Sequence, residues 1–257
     1  MSGATASDPD SDTLTYSWSI SNATLCSFSN AGVLNSNLTC SDNGAFTATL
    51  TVNDAYNPAV TSYASVTVNN VRPSATFRNN GPVNEGSSIN LSLTSPSDPS
   101  SVDTTTGFKY AFDCGSGYNT LSAVSNAACA TNDNGMRILK GKIQDKDGGF
   151  TEYTATVMVN NVAPTVTVTG PASGSIYPVG TPVTFAGTFT DPGILDTHTA
   201  RWTFDALTAA GVVTESGGNG SVSGTYTFTI PGVYQVTLAV TAGWREAKSA
   251  WHLALRT

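Results

Sequence analysis

Charge is what this sequence has least of. Asp, Glu, Lys and Arg make up 11% of its 257 residues, against roughly 25% in an ordinary soluble domain. Cations are the scarcer half, 11 Lys and Arg to 18 Asp and Glu, for a formal net charge of −7. Cations so few and scattered give no electrostatic footprint for a phosphate backbone, which argues against nucleic acid as a partner. No apolar run approaches the roughly 18 residues of a membrane-spanning helix, so no membrane insertion is expected within this segment. A charged-then-apolar leader is missing too. Met1-Ser-Gly-Ala reads as an initiator before an internal fragment, with export signal and anchor lying elsewhere. No CxxC occurs, and His198 and His252 stand far in sequence from every cysteine, a poor set for zinc. No GxSxG accompanies His198 and its neighbour Asp196, so His198 reads as a solvent-exposed loop histidine and no enzyme is expected.

Thr, Ser, Asn and Gly take the place of charge, and they fall into a pattern that recurs. Residues 43–54 read NGAFTATLTVND, 134–145 NGMRILKGKIQD and 231–242 PGVYQVTLAVTA. Phe46, Ala48, Leu50 and Val52 alternate with Thr47, Thr49 and Thr51, and Tyr234, Val236, Leu238 and Val240 keep the same spacing in the third copy. Period-two alternation of this length marks a half-buried strand. A second stretch keeps step with the first: DPDSDTLTYSWSI at 8–20, DPSSVDTTTGFKYAFD at 98–113 and DPGILDTHTARWTFD at 191–205. VNNVRPSATF at 68–77 and VNNVAPTVTV at 159–168 mark two joints. A shared period of about 90 residues means a tandem array of small all-β domains.

The repeats place domains at 1–71, 72–162 and 163–257. About 20 residues that lead the second and third repeats have no counterpart before DPDSD. The first domain therefore reads as truncated, with SGATAS at 2–7 the tail of a strand and an open edge beside it. Pro73 and Pro164 restrict the joints, which are short and stiff rather than Gly/Ser tethers. GWREAKSAWHLALRT at 243–257 departs from the pattern and leaves three readings: an amphipathic helix, an ill-fitting last strand or non-native sequence. Four cysteines permit three connectivities. Pairing within a repeat, Cys26 with Cys40 and Cys114 with Cys129, is the simplest, since modules that fold alone seldom share bridges. Closing a loop of about 15 residues contributes roughly 3 kcal/mol in the loop-entropy model. Disulfides imply an oxidising, extracellular compartment.

DPDSDTLTYSW, NGAFTATLTVND, NNVAPTVTV, DKDGGFTEYTATVMVNN, FTDPGILDTHTARWTFD and PGVYQVTLAV together resemble tandem PKD-type domains, Ig-like repeats of bacterial surface and secreted proteins. The likeness covers nearly everything except 243–257. It implies an all-β fold of tandem Ig-like (PKD-type) antiparallel β-sandwiches in an extended array. The family's Trp-x-Phe-Gly-Asp-Gly is degraded here to YAFDCGSG at 110–117 and WTFDALTA at 202–209. Such domains are generally non-catalytic. They serve as spacers, as adhesion or protein-contact modules, and as calcium-stiffened accessories to secreted enzymes.

Asp8, Asp10 and Asp12 alternate in a Pro-containing loop and form the foremost metal candidate, a set of hard oxygen donors for Ca2+ as a structural cofactor. Asp54 or Asp42 would add a fourth oxygen. This is no EF-hand, since Thr13 and Ser19 stand where Gly and the bidentate Glu are required. The competing reading is a turn in which Asp accepts from local amides. Asp98 with Asp103, Asp145 with Asp147, and Asp191 with Asp196 are the equivalent loops of the later repeats, read first as turns and only second as calcium sites. Tyr16, Trp18, Tyr110, Trp202 and Tyr234 alternate inward as core, whereas Tyr56, Tyr63, Tyr118 and Tyr153 lie near turns and are candidates for exposure. The expected function is a structural and adhesive array. Its partners would be other domains of the same or neighbouring chains, with surface carbohydrate or protein as further candidates. Two rivals stand beside it: a filament subunit built by strand-edge pairing, and a carbohydrate- or protein-binding accessory module.

Overall fold

The computed structural model describes residues 3–256, so the Met1 start and Ser2 of the expected leading strand lie outside it. The chain divides into two compact units. One comprises Met1–Arg78, Ser92–Asn126 and Lys140–Thr154, the other Asn79–Leu91, Ala127–Leu139 and Ala155–Thr257. Their boundaries do not follow the repeats.

In the first repeat β1 (Thr15–Ile20), β2 (Cys26–Phe28), β3 (Leu38–Cys40), β4 (Gly44–Asn53) and β5 (Val60–Val68) follow one another. They form a β1-β4-β5 sheet and a β2-β3 ribbon. The alternation of β4 is realised, with Phe46, Ala48 and Leu50 buried. Tyr16, Ile20, Phe28, Val52 and Val66 pack around Trp18, Ala48 and Leu50. The Trp18 ring stacks on Phe28 at 5.2 Å, and its Nε1 donates to the carbonyls of Val33 and Leu34. Cys26 and Cys40 face each other directly across the ribbon and are bridged. Cys114 and Cys129 are disulfide-bonded as well. No strand forms over 3–14, so the expected strand tail at 3–7 is corrected. Gly3–Ser7 instead line grooves beside Leu50 of β4.

The second repeat runs through β6 (Ser74–Asn79), β7 (Val83–Asn84), β8 (Ile89–Ser97), β9 (Lys109–Asp113), β10 (Asn126–Cys129), β11 (Gly135–Gln144) and β12 (Phe150–Asn160). Its sheets are ordered β10-β8-β6 and β7-β12-β11-β9. Asp98–Thr106, read as a turn, contains the helix α1 (Ser101–Thr106). Ser100 caps it, its Oγ accepting from the Asp103 amide at 3.0 Å. That bond satisfies one of the helix's free N–H groups.

The third repeat contains β13 (Thr165–Gly170), β14 (Ile176–Pro178), β15 (Pro182–Thr190), β16 (His198–Phe204), β17 (Leu207–Ser216), β18 (Asn219–Thr227), β19 (Gly232–Ala242) and β20 (Arg245–Arg256). The strand order is β13-β15-β18-β17-β16-β19-β20-β14. β17 pairs through its first half with β16 and through its second with β18. Phe185, Trp202, Phe204, Phe228, Val236 and Leu238 form the core. The helix reading of 243–257 is corrected. Gly243, at φ 54°, and Trp244 make a two-residue turn, and β20 then pairs with all of β19. Leu253 and Leu255 are buried, with Trp251 packed against them. The polar residues between them hide a sound period-two strand.

Leu253→Ala should therefore destabilise the chain by about 2–5 kcal/mol, the usual range for a fully buried leucine, as read by urea unfolding. A loss under about 0.5 kcal/mol, the level of a surface change, would remove β20 from the core.

Candidate metal centres

Asp8, Asp10 and Asp12 do converge, with carboxylate oxygens within 4.8 Å of one another. Asp8 Oδ1 already accepts from the amides of Asp10, at 3.0 Å, and Asp12, at 3.3 Å. Its hydrogen bond with Asp10 holds the Asp8 carboxyl below its ordinary value and pushes Asp10 above. Asp54 is not among the converging oxygens. It lines the same open groove of about 290 Å³ as Asp8 and spends its own oxygens on the turn that follows. Oδ1 accepts from the Tyr56 and Asn57 amides, and Oδ2 from Asn57 Nδ2. Asn57, first through its side chain and then through its amide, draws the Asp54 carboxyl down to about 2.

Two further clusters form where repeats meet, each within one compact unit. At the first joint Lys146, in the β11–β12 turn, reaches Asp42 at 2.9 Å, Asp103 at 3.3 Å and also Asp147. Burial pushes the Asp42 carboxyl up. Lys146, the Asn43 amide and Ser100 outweigh it and leave Asp42 below its ordinary value. Hydrogen bonds to Asp147 and Asp42 raise the lysine in turn. Asp103 is fully buried, and its Oδ2 has no hydrogen-bond partner among the described residues. Asp98, Asp103 and Asp145 also bring oxygens within 4.8 Å. Burial, then the charges of Asp103 and Asp145, pushes the Asp98 carboxyl up. Asp145 accepts from the Asp147 and Gly149 amides and, at 3.0 Å, from Asn70 Nδ2 of the joint itself.

At the second joint Glu85, Asp191 and Asp196 converge in the same way. Glu85 is 2% exposed. Its Oε1 accepts from the Val162 amide, but its Oε2, like Asp196 Oδ2, has no partner among the described residues. Burial foremost, then the mutual charges of these carboxylates and Asp133, pushes Glu85 and Asp196 above the ordinary carboxylate range. Asp191 Oδ1 accepts from the Gly193 amide, and its Oδ2 faces His198 Nε2 at 3.2 Å. The other ring nitrogen lies 2.6 Å from Glu215 Oε2. His198 was expected in solvent, yet its side chain is 0% exposed. Phe189 covers the ring, and two carboxylates replace its water.

Glu85 and Lys146 escaped the reading of the sequence altogether. What could have pointed to their clusters is the shared D-P-x-x-x-D of 98–103 and 191–196. Of the tyrosines near turns, Tyr56 and Tyr63 are exposed. Tyr118 and Tyr153 are half-buried, with Tyr153 Oη accepting from the Ala75 amide.

Residues 161–250 match the family model of the PKD domain. Among solved structures, a three-Ig segment of titin aligns at 10% identity over 95% of this chain and 88% of its own, with a TM-score of 0.46. The D1–D4 ectodomain fragment of ICAM-5 aligns at 10% identity over 94% and 77%, with a TM-score of 0.41. Fibronectin(III)-like modules of Clostridium thermocellum CbhA align at 17% identity over 70% and 94%, with a TM-score of 0.31. These likenesses carry no functional argument. No curated protein sequence matches the chain. The PKD match at 161–250 agrees with the resemblance read from the motifs, and the sheets described above fit the tandem β-sandwiches it implies. Domains of this type generally serve as structural or interaction modules rather than catalysts.

Removing the Lys146 ammonium would strand the carboxylates it serves. Lys146→Met should lose about 3 kcal/mol in urea unfolding, the low end for a breached buried pair, because the lysine side chain keeps 24% exposure. A loss under about 0.5 kcal/mol would show that the ion pairs add nothing. Asp54 titrates with the opposite sense to Glu85. A carboxyl lowered on folding contributes fully above its ordinary value of 3.8 and loses that contribution as pH falls toward 2. In EDTA, the stability gap between the wild type and Asp54→Asn should hold from neutral pH to about pH 4 and close toward pH 2. A gap independent of pH would contradict the turn role.

Proposed function

We propose that the chain is a non-catalytic repeat array of an extracellular surface or secreted protein, acting as a semi-rigid spacer and interaction module. One observation carries this: the first joint is bonded down rather than left free. Asn70 donates to Asp145, and the carbonyl of Pro73 accepts from Thr151 Oγ1 at 2.6 Å. Across the same joint Ser100 Oγ donates to the Ser41 carbonyl at 3.0 Å, next to the Asp42–Lys146 pair. A linker whose polar groups are satisfied by its neighbours cannot wander as a Gly/Ser tether does. The disulfide bonds favour an oxidising compartment.

In the first repeat, Asp8, Asp10 and Asp12 are the residues that would hold Ca2+ as hard oxygen donors, while Asp54 serves the turn beside them. Tyr56 and Tyr63, 81% and 70% exposed, are the aromatic surface an interaction partner would meet. Light scattering coupled to size exclusion, in EDTA, tests the spacer. A monomer eluting ahead of compact proteins of its mass is expected. A compact profile would sink the spacer, and large assemblies would favour filament growth through strand edges. A glycan and protein panel that never distinguishes the wild type from Tyr56→Ala/Tyr63→Ala would remove the aromatic surface from the account.

A further inference from the structure

Alignment of the repeats makes the two joints counterparts, residue by residue. Asp42 matches Asp133, Asn70 matches Asn161, and the pair Asp98 and Asp103 matches Asp191 and Asp196. The correspondence then breaks. Asp145 and Lys146 of the second repeat align with Ala242 and Gly243 of the third. Asn161 Nδ2 accordingly donates to the Ala242 carbonyl, where Asn70 Nδ2 donates to the Asp145 carboxylate. The second joint thus has no counterpart of Asp145, Lys146 or Asp147, and Glu85 from the preceding repeat brings a carboxylate to it. Among the described residues Glu85 Oε2 and Asp196 Oδ2 have no hydrogen-bond partner, and His198 touches Asp191 on the oxygen that the Gly193 amide leaves unused.

The two unpartnered oxygens share an aim. A Cβ placed on Gly193 would lie 2.5 Å from Asp196 Oδ2 and 2.9 Å from Glu85 Oε2. Both point into the space that the glycine leaves clear. Two buried carboxylate oxygens that face one space without a donor are highly unfavourable unless a cation or a shared proton stands between them.

We propose that Glu85, Asp191 and Asp196 bind a hard divalent cation, Ca2+, that ties the second repeat to the third. The donor set is all oxygen, the set calcium takes at roughly 2.3–2.6 Å. Two ligands across such an ion stand up to roughly 5 Å apart, and the three carboxylates here offer oxygens within 4.8 Å of one another. The Glu85 Oε1 bond to the Val162 amide anchors the ligand to the joint strand, and the Ile194 amide donates to the Asn132 carbonyl across the same contact. Loading would therefore order the joint as well as the loop. The site is separate from Asp8, Asp10 and Asp12 and stands whether or not the chain is a spacer.

The full chain, stripped with EDTA, would be titrated with CaCl2 by calorimetry beside Glu85→Gln, Asp196→Asn and, as control, Asp8→Asn. The wild type should bind one more Ca2+ than either near-isosteric variant and melt on the order of 5 °C higher in saturating calcium. Asp8→Asn should keep that equivalent. Equal stoichiometry in the wild type and both variants would overturn the proposal, as would no uptake by the wild type in the millimolar range. A proton shared by Glu85 and Asp196 gives a different signature, with Glu85→Gln more stable than the wild type and neither responding to calcium. That result also overturns it.

Discussion

A carboxylate taken out of water is unfavourable until a positive charge or a set of N–H donors replaces its hydration. The loops of this protein meet that constraint in three ways. Asp54 and Asp145 turn their oxygens to backbone amides and a neighbouring asparagine, which costs no counter-ion. Asp42, Asp103 and Asp147 gather around one ammonium, Lys146. Glu85 Oε2 and Asp196 Oδ2 have neither among the described residues, which is why a cation from solution is the natural completion of their site.

The sandwiches make these arrangements possible by holding their loops still. Alternating strands commit one face to a close-packed core, in which Phe185 touches Trp202, Phe204, Phe228 and Trp251. With the strand ends fixed by that packing, a loop carboxylate finds the same neighbours each time, and desolvation becomes tolerable. With cations so few, one lysine serves three carboxylates.

The strands were legible because burial on one face imposes a period of two on local sequence, as in NGAFTATLTVND and PGVYQVTLAV. The aspartate turns were legible for a similar reason, since Asp8 and Asp54 accept from amides within four residues of themselves. The joint clusters were not. Lys146 and Asp42 are 104 residues apart, and Glu85 meets Val162 across 77. No local pattern encodes such a meeting, and only the repeat alignment hints at it. His198 misled because its loop looks polar, while the aromatic ring of Phe189 that buries it lies in another strand. β20 misled because Trp251, Leu253 and Leu255 are separated by residues unlike the threonines of the earlier repeats.

The central claim is that buried carboxylates at one joint are balanced by a built-in ammonium and at the other by a bound metal. Long-wavelength anomalous diffraction from crystals grown in CaCl2 tests it most directly. The account predicts an anomalous peak coordinated by Glu85, Asp191 and Asp196, and none within contact of Lys146 between Asp42 and Asp147. A second joint without a peak, with Glu85 and Asp196 oxygens drawn together as a hydrogen-bonded acid pair, would contradict it.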